Sequence, residues 1–432
     1  MLNFLETLIS GTFPFFLLVI CGGFFTVKSK FFQFRKFKKS ISLFFGCGKK
    51  GAKNSGFSIF QSVCTSLSAT LGTGNIAGVA GAISIGGAGA VFWMWVTSIL
   101  GATVKSAEIF LAIKYRQKQE ETYVGGPMYY IKNALPKVFM PLGFVFCAVG
   151  IIAAFFNGNV TQINAVTVAM PNSFFMRFLV GIIFAIITAA VLIGGAKRIG
   201  EFTEKTVPLM SVIYIVLCFG VIFANFKFLP QVFKMIFIGA FKPKAVTAGV
   251  VSSIAITIFT GASRGVFSNE AGLGTSAMAH AVTENANIKT QGLFGIFEVF
   301  VDTILLCTLT ALTILCSKVK IEYGSIASSE LVGNALKTLY GDFSQVVLFV
   351  LLGFFAITSI IGWSLYGMIC TKHIFGKEKA FIYLYPLGCI IGALCDVQIV
   401  WRIAAVCTGV MLSINVFTII ILRNKALEFL KE

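Results

Sequence analysis

Side chains able to hold a small charged solute are gathered in two stretches of an otherwise apolar chain. The first, FQSVCTSLSATLGTGNIAGVAGAISIGGAGA (60–90), sets Ser, Thr and Asn75 among seven glycines. The second, VSSIAITIFTGASRGVFSNEAGLGTSAMAHA (251–281), carries Arg264, Ser268, Asn269 and Glu270 near its middle. Glycine costs about 1 kcal/mol against alanine inside a helix, and a charge at mid-membrane depth costs at least ~2.5 kcal/mol. Close helix packing through small residues would use the glycines, but it leaves the mid-span Asn, Arg and Glu unexplained. Unwinding at Gly72-Thr73-Gly74-Asn75 would do more. It frees backbone N–H groups at the start of one half-helix, which bind anions such as a carboxylate, and carbonyls at the end of the other, which bind cations. Free backbone at that depth is tolerated only where it lines a polar cavity.

The elements that must carry these stretches are membrane helices. Of 432 residues, 57% are hydrophobic and 12% charged, against about 25% charged in a soluble domain. That excludes a soluble enzyme, a disordered chain and a disulfide-stapled secreted domain. Continuous apolar runs also argue against a β-barrel, whose strands alternate in polarity. The eleven cysteines are scattered, without CxxC, and read as small buried hydrophobes. With only His280 and His373, a metal site or a histidine-based triad is not expected.

Apolar runs and their breaks predict eleven transmembrane helices, near 12–27, 57–84, 89–113, 138–169, 174–195, 207–226, 246–281, 292–317, 343–371, 380–395 and 398–422. No basic residue precedes the first (Met1 to Glu6), and no A-x-A-like cleavage site follows, so it reads as a retained helix and not a signal peptide. Segment 28–56 alone holds nine basic residues: Lys28, Lys30, Arg35, Lys36, Lys38, Lys39, Lys49, Lys50 and Lys53. Placing it in the cytoplasm puts 24 of the 35 basic residues inside and nine outside, as the positive-inside rule requires. The N-terminus is then outside and the C-terminus cytoplasmic, in a multi-pass protein of the cell (inner) membrane.

The predicted organisation is an N-terminal helix and basic loop (1–56), a first five-helix repeat (57–226), an interfacial segment (227–245), a second five-helix repeat (246–422) and a cytoplasmic tail (423–432). Segment 318–342 reads as a short helical lid or a solvated loop. Each set of five opens on a glycine-broken span, and its odd length makes the second set enter from the opposite side. Interrupted segments at matching positions of two halves are the best sequence pointer to a transporter's midplane site.

The stretches TSLSATLGTGNIAGVAGAI (65–83), GAGAVFWMW (87–95), GGPMYYI (125–131), GGAKRIGE (194–201) and GASRGVFSNEAGLGT (261–275) carry a resemblance to the alanine or glycine:cation symporter family. QG (291–292), DT (302–303) and IIGWSLYG (360–367) follow in the expected order. Two departures are Ala88, where the family usually has proline, and Met368, where an acidic residue is common. The resemblance implies an all-α polytopic protein with a leucine-transporter-type 5+5 inverted repeat plus an N-terminal helix. It also implies uptake of small neutral amino acids, alanine and glycine foremost, driven by a sodium gradient.

It further implies substrate contacts at Thr73, Gly74, Phe267, Ser268 and Asn269, with Thr70 close by. The α-carboxylate would accept from backbone N–H groups at Thr73, Gly74 and Asn75, and the α-ammonium would meet groups around Gly265, Phe267 and Ser268. Plain packing is the alternative for Phe267, and bracing of the unwound backbone is the alternative for Asn75 and Asn269. On the fourth helix one face cannot hold Asn157, Gln162 and Asn164 together; Gln162 is the preferred pocket residue, with interhelical hydrogen bonding equally open. On the ninth, Phe355, Thr358 and Ser359 stand at i, i+3 and i+4, sharing a face that suits a hard cation. The resemblance adds the carbonyls of Ser68 and Leu71 as sodium ligands. The alternative is hydroxyls bonding back to their own helix. Trp363, four residues on, would wall the pocket.

Arg264 and Glu270 are expected to form an internal ion pair, with each other or with Asp302. Glu298 and Asp302 stand i, i+4 and repel, so one needs a partner; Lys105 and Glu108, at i, i+3, read as a bridge. An intramembrane enzyme would need a nucleophile–base pair or metal ligands, and a channel would need rings repeated by symmetry; neither is legible. A proton-coupled transporter, with Glu270 or Asp302 as carrier, is the alternative. Sodium is expected as a co-transported ligand, with no other cofactor, no nucleic acid and no obligate protein partner.

Overall fold

The computed structural model describes residues 13–47, 57–119, 122–170, 173–247, 249–251, 253–284, 286–325, 329–395 and 397–431. Met1 to Glu6, the stretch without a basic residue ahead of the first helix, and the basic Lys49, Lys50 and Lys53 lie outside the described residues. The chain is almost wholly helical. Its only strands among the described residues are β1 (Gln117–Gln119) and β2 (Thr122–Val124), an antiparallel pair with Gln117 opposite Val124.

Helix α1 (Phe13–Lys28) leads through a tight turn to α2 (Phe32–Arg35) and α3 (Phe37–Cys47). The second apolar segment is α4 (Ile59–Thr70) and α5 (Ala77–Gly86), with a 3-10 turn over Thr73–Asn75 between them. Ser58 and Gln61 form a capping box that starts α4. Then come α6 (Ala90–Tyr115), α7 (Pro127–Ala134), and α8 (Met140–Ala153), which passes through a π-helical turn at Ala154–Val160 into α9 (Thr161–Val168). Helices α10 (Phe174–Leu192), α11 (Gly195–Ala224) and the short α12 (Leu229–Phe241) follow. The seventh segment is broken into α13 (Ile254–Asn269) and α14 (Thr275–Ala281). Beyond it lie α15 (Ile288–Cys316), widened to π over Phe300–Cys307, and α16 (Ser329–Tyr340). The last elements are α17 (Phe343–Phe375), α18 (Lys379–Leu384), α19 (Leu387–Leu394), α20 (Val397–Ile421) and α21 (Arg423–Lys431).

Seven of the described helical segments are long and apolar enough to cross a membrane: α6, α8–α9, α10, α11, α15, α17 and Ile399–Ile421 of α20. Helix α1 is shorter, and the other apolar segments come in pieces. The sequence reading differs here in three places. Helix α11 begins at Gly195, not near 207, because Lys197, Arg198, Glu201 and Lys205 stay exposed while Ile199, Gly200 and Thr203 are buried: the helix continues amphipathically beyond its apolar run. Segment 380–395 is split at Tyr385–Pro386, where proline cannot donate into the preceding turn. And α13 starts at Ile254, eight residues later than 246.

Helices α6 and α13 cross at contact distance because Gly261 has no side chain. A Cβ there would fall on the backbone of Ala90. Helix α21 packs Phe429 flat on Phe110, with ring centroids 4.7 Å apart, while Lys114 Nζ sits 3.2 Å from Glu428 Oε2. That hydrogen bond and the lysine's charge hold the Glu428 carboxyl below its usual range. Gly261→Ala is expected to lower stability by about 1–3 kcal/mol, the cost of overpacking. Gly23→Ala, at a position with nothing within 4 Å, should leave the melting temperature in detergent unchanged or slightly raised.

Candidate functional site

The first break is built by its own asparagine. Asn75 Oδ1 accepts from Gly72 N (3.0 Å), closing the 3-10 turn on itself, while Leu71 N still donates to Leu67 O (2.7 Å) at the end of α4. Thr73 is turned toward the fourth segment: its backbone N–H and its hydroxyl both donate to Gln162 Oε1, at 3.2 and 3.0 Å. Gly72 must be glycine, since a Cβ there would lie 2.6 Å from Ser359 Oγ and 2.9 Å from Gln162 Oε1. Thr70 Oγ1 donates back to Leu67 O (3.2 Å).

The second break follows Asn269. Glu270 adopts φ 54°, the left-handed region that costs a side-chain-bearing residue roughly 1–2 kcal/mol. Asn269 spends every polar atom on bracing. Its amide donates to Ser98 Oγ (3.2 Å) and Thr303 Oγ1 (3.1 Å), its Oδ1 accepts from Ala271 N (3.0 Å), and its carbonyl accepts from Lys105 Nζ (2.8 Å).

Asp302, in the π-helical part of α15, clamps the two breaks together. Its carboxylate accepts from Asn75 Nδ2 (2.7 Å), Ser268 Oγ (2.8 Å) and Thr303 Oγ1 (2.6 Å), and Asn75 Nδ2 also donates to Ser268 Oγ (3.1 Å). Phe267 approaches the first break from the side: its ring lies 3.8 Å from where a Gly74 Cβ would stand, and 5.6 Å from the Trp401 ring.

The structure therefore brings Thr73, Gly74, Asn75, Gln162, Phe267 and Ser268 together at the two breaks. Trp363 is buried against Gly158 in the π-turn of the fourth segment and stands edge-on to Tyr366 (5.6 Å). Asn164 points elsewhere, and Asn157 meets Gln162 through its backbone. The Asn157 carbonyl accepts from Gln162 Nε2 (3.3 Å), and Asn164 Nδ2 donates to the carbonyls of Gly392 and Cys395.

At the expected cation position, Ser359 Oγ donates to the Ser68 carbonyl (3.0 Å), so α17 and the end of α4 meet there. Thr358 Oγ1 donates to the carbonyls of Phe354 (2.8 Å) and Phe355 (3.0 Å) and faces Met210 Sδ (3.4 Å). Its hydroxyl is turned back on its own helix. Leu71 is buried beside this crossing, and Phe355 meets Tyr214 edge-on.

Two expected ion pairs are absent among the described residues. Arg264 and Glu270 are six residues apart, about 240° around a helix, and do not face each other. The Arg264 guanidinium lies 5.9 Å from the Trp401 ring centroid, while Glu270 Oε2 accepts from Thr275 Oγ1 (2.7 Å). Lys105 does not bridge Glu108. It reaches Glu298 Oε2 at 3.2 Å, whereas Glu108 Oε2 accepts from Asn415 Nδ2 (2.8 Å) and Gly274 N (3.1 Å).

Sequence reasoning missed the cluster around Glu298. His280 is fully buried. It accepts at Nδ1 from Gln291 Nε2 (2.7 Å) and donates from Nε2 to Glu298 Oε1 (2.6 Å). Ser66 Oγ, at 2.7 Å, supplies Glu298 Oε2 as well. The available signal was periodicity. Ser62 and Ser66 stand at i, i+4, and both Gln291 and Glu298 interrupt an apolar run.

A family model described as the sodium:alanine symporter family matches residues 1–432. The chain is 35% identical to the sodium/alanine symporter AgcS of Methanococcus maripaludis, covering 98% of this chain and 94% of that one. It is 33% identical to a probable sodium/glutamine symporter, GlnT, of Bacillus subtilis, over 96% of this chain and 86% of the relative. Among solved structures it shares the fold of MhsT in complex with L-phenylalanine, with a TM-score of 0.61 at 14% identity, covering 85% of this chain and 89% of that one.

Lys105→Met should leave Glu298 buried without its ammonium and strip the Asn269 carbonyl of its donor. The expected loss is about 3–5 kcal/mol, read as a lower unfolding temperature in detergent. Asn75→Ala should cost about 1–3 kcal/mol, as Asp302 and Gly72 N lose their buried partner.

Proposed function

The chain belongs to the sodium:alanine symporter family, and from that premise we propose that it imports small neutral amino acids, alanine and glycine, by sodium symport through alternating access. It is an integral membrane protein and a transporter, not an enzyme. The observation that carries the reading is the meeting of two broken apolar segments at one place, joined by Asn75, Ser268 and Asp302.

In this reading the substrate's α-carboxylate takes the N–H groups of Thr73, Gly74 and Asn75. Support comes from Thr73, whose N–H and O–H already converge on one oxygen, that of Gln162. A carboxylate oxygen is a stronger acceptor than an amide's. Carbonyls around Gly265, Phe267 and Ser268 take the ammonium, and Phe267 and Trp363 wall the side chain. Thr70 and Asn269 act at the edge of the site, with Asn269 bracing it. Sodium takes oxygens of Ser68, Leu71, Phe355, Thr358 and Ser359. That set is supported by the Ser359–Ser68 approach, and the Thr358 hydroxyl gives its proton to its own helix while its oxygen keeps lone pairs for the ion.

The count of eleven spans belongs to the same proposal, with α4–α5, α13–α14 and α18–α19 each counted as one broken crossing. So do the 5+5 inverted repeat with its boundaries at 57–226 and 246–422, the interfacial 227–245, and the orientation with N-terminus outside and C-terminus cytoplasmic. The proton-coupled alternative is not favoured, since the family and the relative AgcS are described by sodium.

Uptake of labelled alanine into proteoliposomes tests this directly. Accumulation should follow an imposed sodium gradient and not a pH gradient at equal sodium. Accumulation driven by protons alone would sink the sodium assignment, and none under either gradient would sink alanine. Ser359→Ala should raise the sodium concentration for half-maximal uptake by about tenfold or more, the worth of one hydrogen-bonding oxygen to a charge, with substrate preference unchanged.

A further inference from the structure

The segment that follows α1 has features that neither the substrate site nor the cation site uses. Helix α1 ends at Lys28, and the chain then turns sharply through Lys30 (φ 53°) and Phe31 (φ 57°), two consecutive non-glycine residues in the left-handed region. Each costs roughly 1–2 kcal/mol. The turn is nonetheless firmly held. Phe31 N donates to the Thr26 carbonyl (2.8 Å), and Arg35 Nη2 donates to the Ser29 carbonyl (2.8 Å) and the Leu430 carbonyl (3.3 Å). This converts a spanning helix into two helices, α2 and α3, that begin where α1 leaves the apolar layer.

The two faces of α3 differ in kind. At 100° per residue, Phe37, Ser40 and Phe44 share one face. Phe37 packs edge-on to Phe300 (4.8 Å) and Phe44 stacks on Phe297 (4.1 Å). Lys38, Ser42 and Phe45 share the opposite face, with Lys39 at its margin, and all four are exposed. Together with Lys28, Lys30, Phe31 and Phe34 they form a patch of lysines interleaved with large exposed rings: Phe31 is 54%, Phe34 60% and Phe45 69% exposed. Among the described residues, Lys28, Lys30, Lys38 and Lys39 make no ion pair.

We propose that this patch binds the headgroups of anionic phospholipids at the membrane face where α1 emerges, and that the bound lipid tunes transport through α15. Charge complementarity selects the occupant. Lysines reach phosphate and glycerol oxygens while Phe31, Phe34 and Phe45 enter the acyl boundary, the arrangement of an interfacial amphipathic segment. A soluble anion would use the lysines but leave three rings in water. The route to the site is short. Phe297 precedes Glu298, and Phe300 opens the π-turn that carries Asp302. A lipid that fixes α3 therefore fixes the helix holding both carboxylates. The rate effect rests on the transport reading above; the binding does not.

Native mass spectrometry of the purified chain with phosphatidylglycerol and phosphatidylcholine tests binding. Each lysine near an anionic surface is worth about fivefold in affinity, so Lys38→Gln/Lys39→Gln should retain phosphatidylglycerol about tenfold or more weakly, with phosphatidylcholine unaffected. Equal retention by the wild type and the variant overturns the site. Displacement of phosphatidylglycerol by inorganic phosphate at constant ionic strength overturns the lipid in favour of a free anion. In proteoliposomes, wild-type alanine uptake should be several-fold faster with phosphatidylglycerol than in phosphatidylcholine alone. The double variant should not respond, and Phe44→Ala should keep the lipid but lose the response. Uptake that is indifferent to phosphatidylglycerol overturns the coupling. No sodium-driven uptake in any vesicle removes the transport reading and its rate effect, and leaves lipid binding standing on the mass spectrum.

Discussion

One buried ammonium holds much of this structure in place. Lys105 Nζ, wholly removed from solvent, sits 2.8 Å from the Asn269 carbonyl and 3.2 Å from Glu298. The carbonyl is the last of α13, the negative end of a half-helix dipole inside the apolar layer, where no water can satisfy it. Glu298 in turn orients His280 and Ser66, and through Ser66 reaches Ser276 (2.7 Å). Both broken segments are thereby tied to α6 and α15 by charge-assisted hydrogen bonds, which strengthen as the dielectric falls.

The same reasoning orders the rest of the polar interior. Each break exposes backbone, and a dedicated side chain takes it up: Asn75 for Gly72, Lys105 for Asn269, Glu108 for Gly274. Asn415, on α20, donates to Glu108 and to the Gly272 carbonyl (2.8 Å), and Tyr130 donates to Asn415. The last spanning helix is thus part of the second break, and its Trp401 stands beside Phe267. Against this stitched body, hydrogen bonds from the break to the fourth and ninth segments are few and at the site itself: Thr73 with Gln162, and Ser359 with Ser68. Neither crossing involves a charged group.

The membrane class, the two breaks and most residues gathered at them were legible in the sequence. The reasons are energetic: glycine, asparagine and charge are so unfavourable inside an apolar span that their presence marks irregular backbone. Helix limits were legible where apolar runs and membrane-crossing helices coincide, as at Phe174–Leu192. They failed for α11, whose first turns leave the apolar run while remaining helical, and for 380–395, where Pro386 divides it.

By itself, then, the sequence determined that the chain is a membrane protein and which of its apolar segments cannot stay regular, because both follow from residue-by-residue transfer and helix costs that act locally. Only the tertiary structure decided the pairing of the buried charges. Spacing along one helix suggested Lys105 with Glu108 and Arg264 with Glu270; in the fold Lys105 takes Glu298, 193 residues away, and Arg264 takes the face of Trp401. A buried charge pairs with whichever partner the packing brings within reach at low dielectric, and that choice is made across helices whose approach distance is set by residues such as Gly261.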